Sequence, residues 1–162
     1  MGSDPIFRAP IFRGLCLAVA GASLGVHLAL ACGTALAGEG DSPVGLWRTI
    51  DDRTGRARSV VRIYEEAGRL HGRIERGFDP REQDRVCDKC EDERRGKPLR
   101  HMVILRNLKA EAGEFVDGDI LDPDNGTVYR CRMRLEEGGR KLVVRGYVGV
   151  SLFGRSQVWE RE

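Results

Sequence analysis

The chain has 162 residues, 41% of them hydrophobic, with 27 Lys and Arg against 25 Asp and Glu and a net charge of +2. That balance gives no footprint for nucleic acid or an anionic membrane. The length suits one domain with a real core, so disulfides are not obligatory for folding.

The N-terminus reads as an export signal. A polar start carrying Arg8 and Arg13 is followed by an apolar stretch from Leu15 to Ala31 and then Thr34-Ala35-Leu36-Ala37-Gly38, the order of a secretory signal with small residues at its cleavage site. The expectation is a signal peptide over 1–37, a cut after Ala37, and a periplasmic or secreted domain over 38–162. The apolar stretch is close to the minimum that spans a bilayer and is diluted by Gly21, Ser23, Gly25 and His27, so no stable membrane insertion is expected after cleavage. Ala29-Leu30-Ala31 ahead of Cys32 is a poor version of a lipidation site. Without Asp4, Arg8 and Arg13 the remaining chain has 25 basic and 24 acidic side chains, and Arg supplies 21 of the former. The arginines are spread along every segment, as on a solvated surface.

From Val44 onward, short β-branched and apolar runs alternate with Gly-containing turns, and almost no stretch keeps a helical period. Strands are predicted over Val44–Ile50, Ala57–Glu65, Arg69–Arg76, Leu99–Leu108, Glu114–Leu121, Thr127–Glu136, Lys141–Val148 and Leu152–Glu160. In the sixth, Tyr129, Cys131, Met133 and Leu135 share a core face opposite Arg130, Arg132 and Arg134. Eight hairpin-linked strands leave two edges in an open sheet, and closure removes them. The predicted fold is therefore an all-β, eight-stranded antiparallel up-and-down barrel, with a β-sandwich as the alternative. One connection breaks the pattern: Gly77 to Pro98, 22 residues of which about half are charged, a length that is uncommon without a function.

That loop carries Cys87-Asp88-Lys89-Cys90. Such spacing can form a disulfide, chelate a metal or exchange thiols. In an oxidising compartment the default is a disulfide between Cys87 and Cys90, and no helix N-terminus is evident to acidify a thiol. Zinc would need further ligands such as His101 and Cys131, but Cys131 lies on an apolar face as a small hydrophobe. No metal and no cofactor are expected. Asp122-Pro123-Asp124-Asn125-Gly126 has the crowding of a calcium loop, but its Gly is a position early and Met133 stands where a bidentate Glu is required. A hairpin turn is predicted there. No Ser, His and carboxylate set assembles into a triad, and no catalytic residue is assigned. Lys141 to Trp159 mixes Arg145, Tyr147, Arg155, Gln157 and Trp159 with apolar residues and glycines, suiting either a partly polar cavity wall or a plain strand pair.

Several segments together resemble the domain of unknown function 2147 family of small exported bacterial proteins. They include Gly45-Leu46-Trp47, Leu70-His71-Gly72-Arg73-Ile74, Cys87-Asp88-Lys89-Cys90, Gly118-Asp119-Ile120-Leu121-Asp122-Pro123 and Tyr129-Arg130-Cys131. Val144-Arg145-Gly146-Tyr147-Val148-Gly149 and Leu152-Phe153-Gly154-Arg155-Ser156-Gln157-Val158-Trp159 complete the match. His101 departs from it, standing where a Gly is expected. The resemblance implies a lipocalin-type barrel and carries no established activity. Gly45-x-Trp47 also resembles the opening of lipocalin barrels, where the Trp packs across the closed end against a late-strand Arg; Arg155 is assigned that place, with Arg161 as the other candidate.

These readings predict an exported, non-enzymatic binding protein for a small apolar or amphipathic ligand. Tyr129, Met133, Arg145, Tyr147 and Trp159 are the candidate ligand-binding residues. The alternatives are an envelope protein that docks a partner through loop 77–98 and, third, thiol–disulfide exchange at Cys87 and Cys90.

Overall fold

A computed structural model describes residues 42–162; the expected signal over 1–37 and its cleavage after Ala37 lie outside the described residues. Eight strands follow in order: β1 (Gly45–Ile50), β2 (Ala57–Glu66), β3 (Arg69–Gly77), β4 (Val103–Glu111), β5 (Glu114–Asp122), β6 (Thr127–Glu136), β7 (Lys141–Tyr147) and β8 (Gly154–Arg161). Each pairs antiparallel with the next, and β8 returns to β1 to close the barrel. Closure excludes the sandwich.

The two ends differ because their turns differ. Ala67-Gly68 and Ala112-Gly113 place both central residues at positive φ, the geometry whose twist matches a tight two-residue hairpin. With Glu137–Arg140 between β6 and β7, they draw one end shut. The opposite end carries the β1–β2 turn, the long segment between β3 and β4, the β5–β6 turn, and Val148–Phe153 between β7 and β8.

Alternation sorts the side chains as the sequence suggests. Leu70 and Ile74 are buried on β3, and Cys131 and Met133 on β6, while Arg69, Arg130 and Arg134 are exposed. Trp47, Ile63, Leu108, Met133 and Leu142 are buried in one core cluster. Two strand starts move by two residues or more. β4 begins at Val103 rather than Leu99, because the chain turns at Arg100 and His101, and His101 sits at φ 65°. Here the left-handed residue falls in a turn, with His101 N–H bonding Ile74 O and Met102 N–H bonding Leu99 O, and this is the position where the family resemblance leads one to expect glycine. β8 begins at Gly154 rather than Leu152, since Phe153 N–H bonds Val150 O within the preceding turn.

Candidate functional site

A cavity of about 1270 Å³ opens between the strands at the loop-bearing end. Its apolar wall is Ile74, Ile104, Ile120, Val144 and Trp159, and its mouth carries Arg58, Arg76, Arg85, Arg100 and Arg155 among Asp51, Asp52, Asp122 and Asp124. The wall comes from strand interiors and the polar mouth from strand ends and turns: Arg58, Arg76 and Arg155 each stand one residue inside the end of β2, β3 and β8. Gly146 adds room. A Cβ there would come no closer than 3.4 Å to Ile120 and Tyr129, both cavity residues.

The candidate ligand residues separate. Tyr129, Tyr147 and Trp159 line the cavity. Met133 does not: it pairs with Phe115 and Val144 and is 1% exposed in packed core, having the right parity but lying too far toward the closed end. Arg145 does not either. Buried Leu142 and Val144 set the inward parity of β7, so Arg145 points out, where Nε donates to Ser151 O at 2.8 Å and Nη1 to Ser156 Oγ at 3.0 Å. Sequence reasoning missed Ile104, Ile120 and Arg100; Ile104 stood in a strand begun four residues early, and Ile120 lies beyond the register shift in β5 at Asp117, φ 59°.

At the closed end the guanidinium over Trp47 belongs to Arg161, 4.3 Å from the ring, and the assignment to Arg155 is corrected. Both arginines share a strand parity, but β8 runs antiparallel to β1, so its last residues meet the first of β1. Arg161 also donates to Gly139 O at 2.7 Å and to Ser42 O at 2.7 Å, tying the β6–β7 turn to the lead-in. Trp47 Nε1 donates to Pro43 O at 2.7 Å. Gly45, at φ 140°, lies against Arg161. Arg155 sits at the other end, ion-paired with Asp52 of the β1–β2 turn. That pair spans a seam: the β1–β8 ladder holds only Trp47 with Arg161 and Arg48 with Glu160, and toward the mouth Gln157 also reaches Asp52 at 3.4 Å.

The long segment is built as a brace. Cys87 and Cys90 form a disulfide, and both are buried with Met102 and Leu121 in the core cluster. Val86 bridges Pro98, a 3-10 turn spans Pro80–Glu82, and buried Arg94 pairs with Asp92 and donates to Val103 O at 3.1 Å. Two ion pairs lie within it, Arg81 with Asp79 and Arg94 with Asp92, and Glu93 reaches Arg106 of β4. Two contacts press the segment onto the β5–β6 turn. Lys89 Nζ donates to Asp124 O at 2.8 Å and Arg85 lies 2.6 Å from the Asp124 carboxylate, which Arg58 of β2 also reaches at 2.6 Å. Those guanidiniums, Arg58 first, hold Asp124 down at a pKa of about 2. A Cβ on Gly126 would lie 1.9 Å from Lys89 O, so this close approach demands glycine.

These sulfurs bear on the other chemistries considered. With Cys87 and Cys90 joined and buried, neither is a thiolate for zinc, and no group of three or more His, Cys, Asp or Glu among the described residues is arranged to hold a metal. A disulfide without exposed sulfur also resists an attacking thiolate. Cys131 is fully buried, and desolvation pushes its thiol well above the ordinary range. Partial burial raises Asp119 as well, against the pull of Arg106 and Arg94.

Protein HP1028 from the human pathogen Helicobacter pylori, described as belonging to the lipocalin family, has a similar structure. The TM-score is 0.66 at 16% identity, covering 75% of this chain and 83% of that one. Similarity at that identity establishes the fold, a lipocalin-like barrel. No curated protein matches the chain. The family model for an uncharacterized protein conserved in bacteria (DUF2147) matches residues 45–161, all eight strands of the barrel, and the chain belongs to that family.

Proposed function

We propose that this protein is a non-enzymatic carrier of the bacterial cell envelope, exported by residues 1–37, that holds a small apolar or amphipathic molecule in its barrel. The observation that carries the reading is the cavity of about 1270 Å³ with an apolar wall ending at Trp159 and a charged mouth. It is roomy by the standard of small-molecule pockets, which run to roughly 1,000 Å³. An apolar chain laid along Ile74, Ile104, Ile120 and Val144 leaves water, while a polar head remains at the mouth. Arg100, exposed at that mouth, suits an anionic head. The disulfide-braced segment and the Arg155–Asp52 pair hold that mouth in shape before a ligand arrives, which lowers the ordering cost of binding.

Native mass spectrometry of protein recovered from the envelope of an expressing bacterium tests this. The expected result is a polypeptide beginning at Gly38 that retains an extractable amphiphile. A bare polypeptide mass, with nothing apolar in the solvent extract, contradicts it.

A further inference from the structure

The near-neutral charge of the whole chain hides an uneven distribution. Between Glu137 and Glu160 there is no acidic residue; Arg140 and Lys141 pair with Glu137 at the closed end and Arg155 pairs with Asp52, which leaves Arg145 as the cation of that stretch with neutral partners. At its centre the Val148–Phe153 turn carries Val148, Val150, Leu152 and Phe153 between 61% and 79% exposed. Single exposed apolar residues are ordinary, but four on one turn form a patch that calls for a partner.

The turn is held out in a defined shape. Val148 N–H donates to Phe153 O at 3.4 Å and Phe153 N–H to Val150 O at 3.1 Å. From below, Arg145 grips it, with Nε donating to Ser151 O at 2.8 Å and Nη2 to Leu152 O at 3.1 Å. Those partners are neutral, as is Ser156 Oγ. Arg145 therefore keeps its full positive charge directly beneath an apolar tip.

We infer that the Val148–Phe153 tip is a membrane-docking element that inserts its apolar side chains into the interface of an anionic bilayer, with Arg145 at the level of the lipid headgroups. Apolar area and adjacent cationic charge are the two contributions that hold a peripheral element at such an interface. Val148 and Phe153 also border the cavity, so docking by this tip turns the barrel mouth toward the bilayer. The inference goes beyond the carrier reading and stands whether or not the cavity is loaded.

The test uses the full chain bearing Phe153→Trp, because the native indoles of Trp47 and Trp159 are 0% and 1% exposed and leave the new one as the surface reporter. Vesicles of phosphatidylcholine mixed with phosphatidylglycerol, with and without brominated acyl chains, are titrated in. The expected result is a blue shift and bromine quenching of the reporter that weaken as salt rises and are slight on pure phosphatidylcholine. Adding Leu152→Ser to the reporter weakens the response about tenfold, from the apolar area lost. The inference is overturned by a reporter that stays in water on anionic vesicles, or by a Leu152→Ser variant that responds unchanged. A blue shift that needs no vesicles but rises with protein concentration also overturns it, since the tip then covers a second copy. Unchanged circular dichroism in both variants guards against misfolding. Ligand retention in native mass spectra reads the carrier proposal separately.

Discussion

Arg161 makes one cation–π contact and three charge-assisted hydrogen bonds, to Gly139 O, Val44 O and Ser42 O. Its planar fork meets carbonyls from two separate segments at once, which a lysine ammonium cannot do. Arg161→Lys is expected to cost about 2 kcal/mol in urea unfolding, and Arg161→Ala somewhat more. Arg155→Ala, which breaks an exposed pair with Asp52, is expected to cost less than about 1 kcal/mol. Equal losses would contradict the assignment of the barrel-closing role to Arg161. Gly45 and Trp47 mark that end legibly, but the choice of arginine was open in the sequence. Parity does not separate the two arginines; strand direction does, and it becomes usable only once β8 is known to close on β1.

The Phe78–Met102 segment is the element whose character changes most between sequence and structure. Its charge density reads as solvated loop, and only Cys87 and Cys90 hint at more. Several of the charges in fact pair with one another, with Arg106 of β4 or with the β5–β6 turn, and the longer-range of these contacts are invisible to periodicity. Because Asp124 is held at about 2 against an ordinary 3.8, its contribution is fully present above 3.8 and is lost as pH falls through about 2. The rate at which a phosphine reductant opens Cys87–Cys90, divided by its rate on a small exposed disulfide at the same pH to cancel protonation of the phosphine, is therefore expected to be low and flat above that range and to climb as pH falls through it. Asp124→Asn should raise the rate already at neutral pH and flatten the acid limb; an unchanged profile would remove Asp124 as the latch. The disulfide closes a ring with a sequence separation of 3, so Cys87→Ala with Cys90→Ala should cost about 2 kcal/mol in unfolding. The β-rich circular dichroism spectrum should persist, since the eight-strand ladder does not pass through the loop. Collapse of the barrel on reduction would contradict the view of the segment as a brace on a self-sufficient fold.

At the scale of the molecule, strand count, closure and the two-faced pattern were readable from alternation and turn residues, because a barrel imposes a period of two on every strand. Depth along the barrel axis was not. Met133 and Tyr129 share a face, yet one is packed core and the other lines the cavity, and that difference depends on how far each lies from the closed end at Trp47. Cavity and core are thus one column of inward side chains, filled at the bottom and empty at the top. Gly146 sits in the empty part, outside the left-handed region, and a Cβ there would meet Ile120 and Tyr129 at ordinary van der Waals distance. Gly146→Leu should fold as the wild type does and occupy the space a ligand needs. Trp159, on the cavity wall and 1% exposed, reports occupancy, while Trp47 is sealed at the far end beneath Arg161. The most direct measurement of the central claim is a fluorescence titration with a long-chain fatty acid, wild type beside Gly146→Leu. The account predicts a saturable change in Trp159 emission that is weakened about tenfold or more by the substitution. No saturable change in the wild type, or an identical curve in Gly146→Leu, would contradict it.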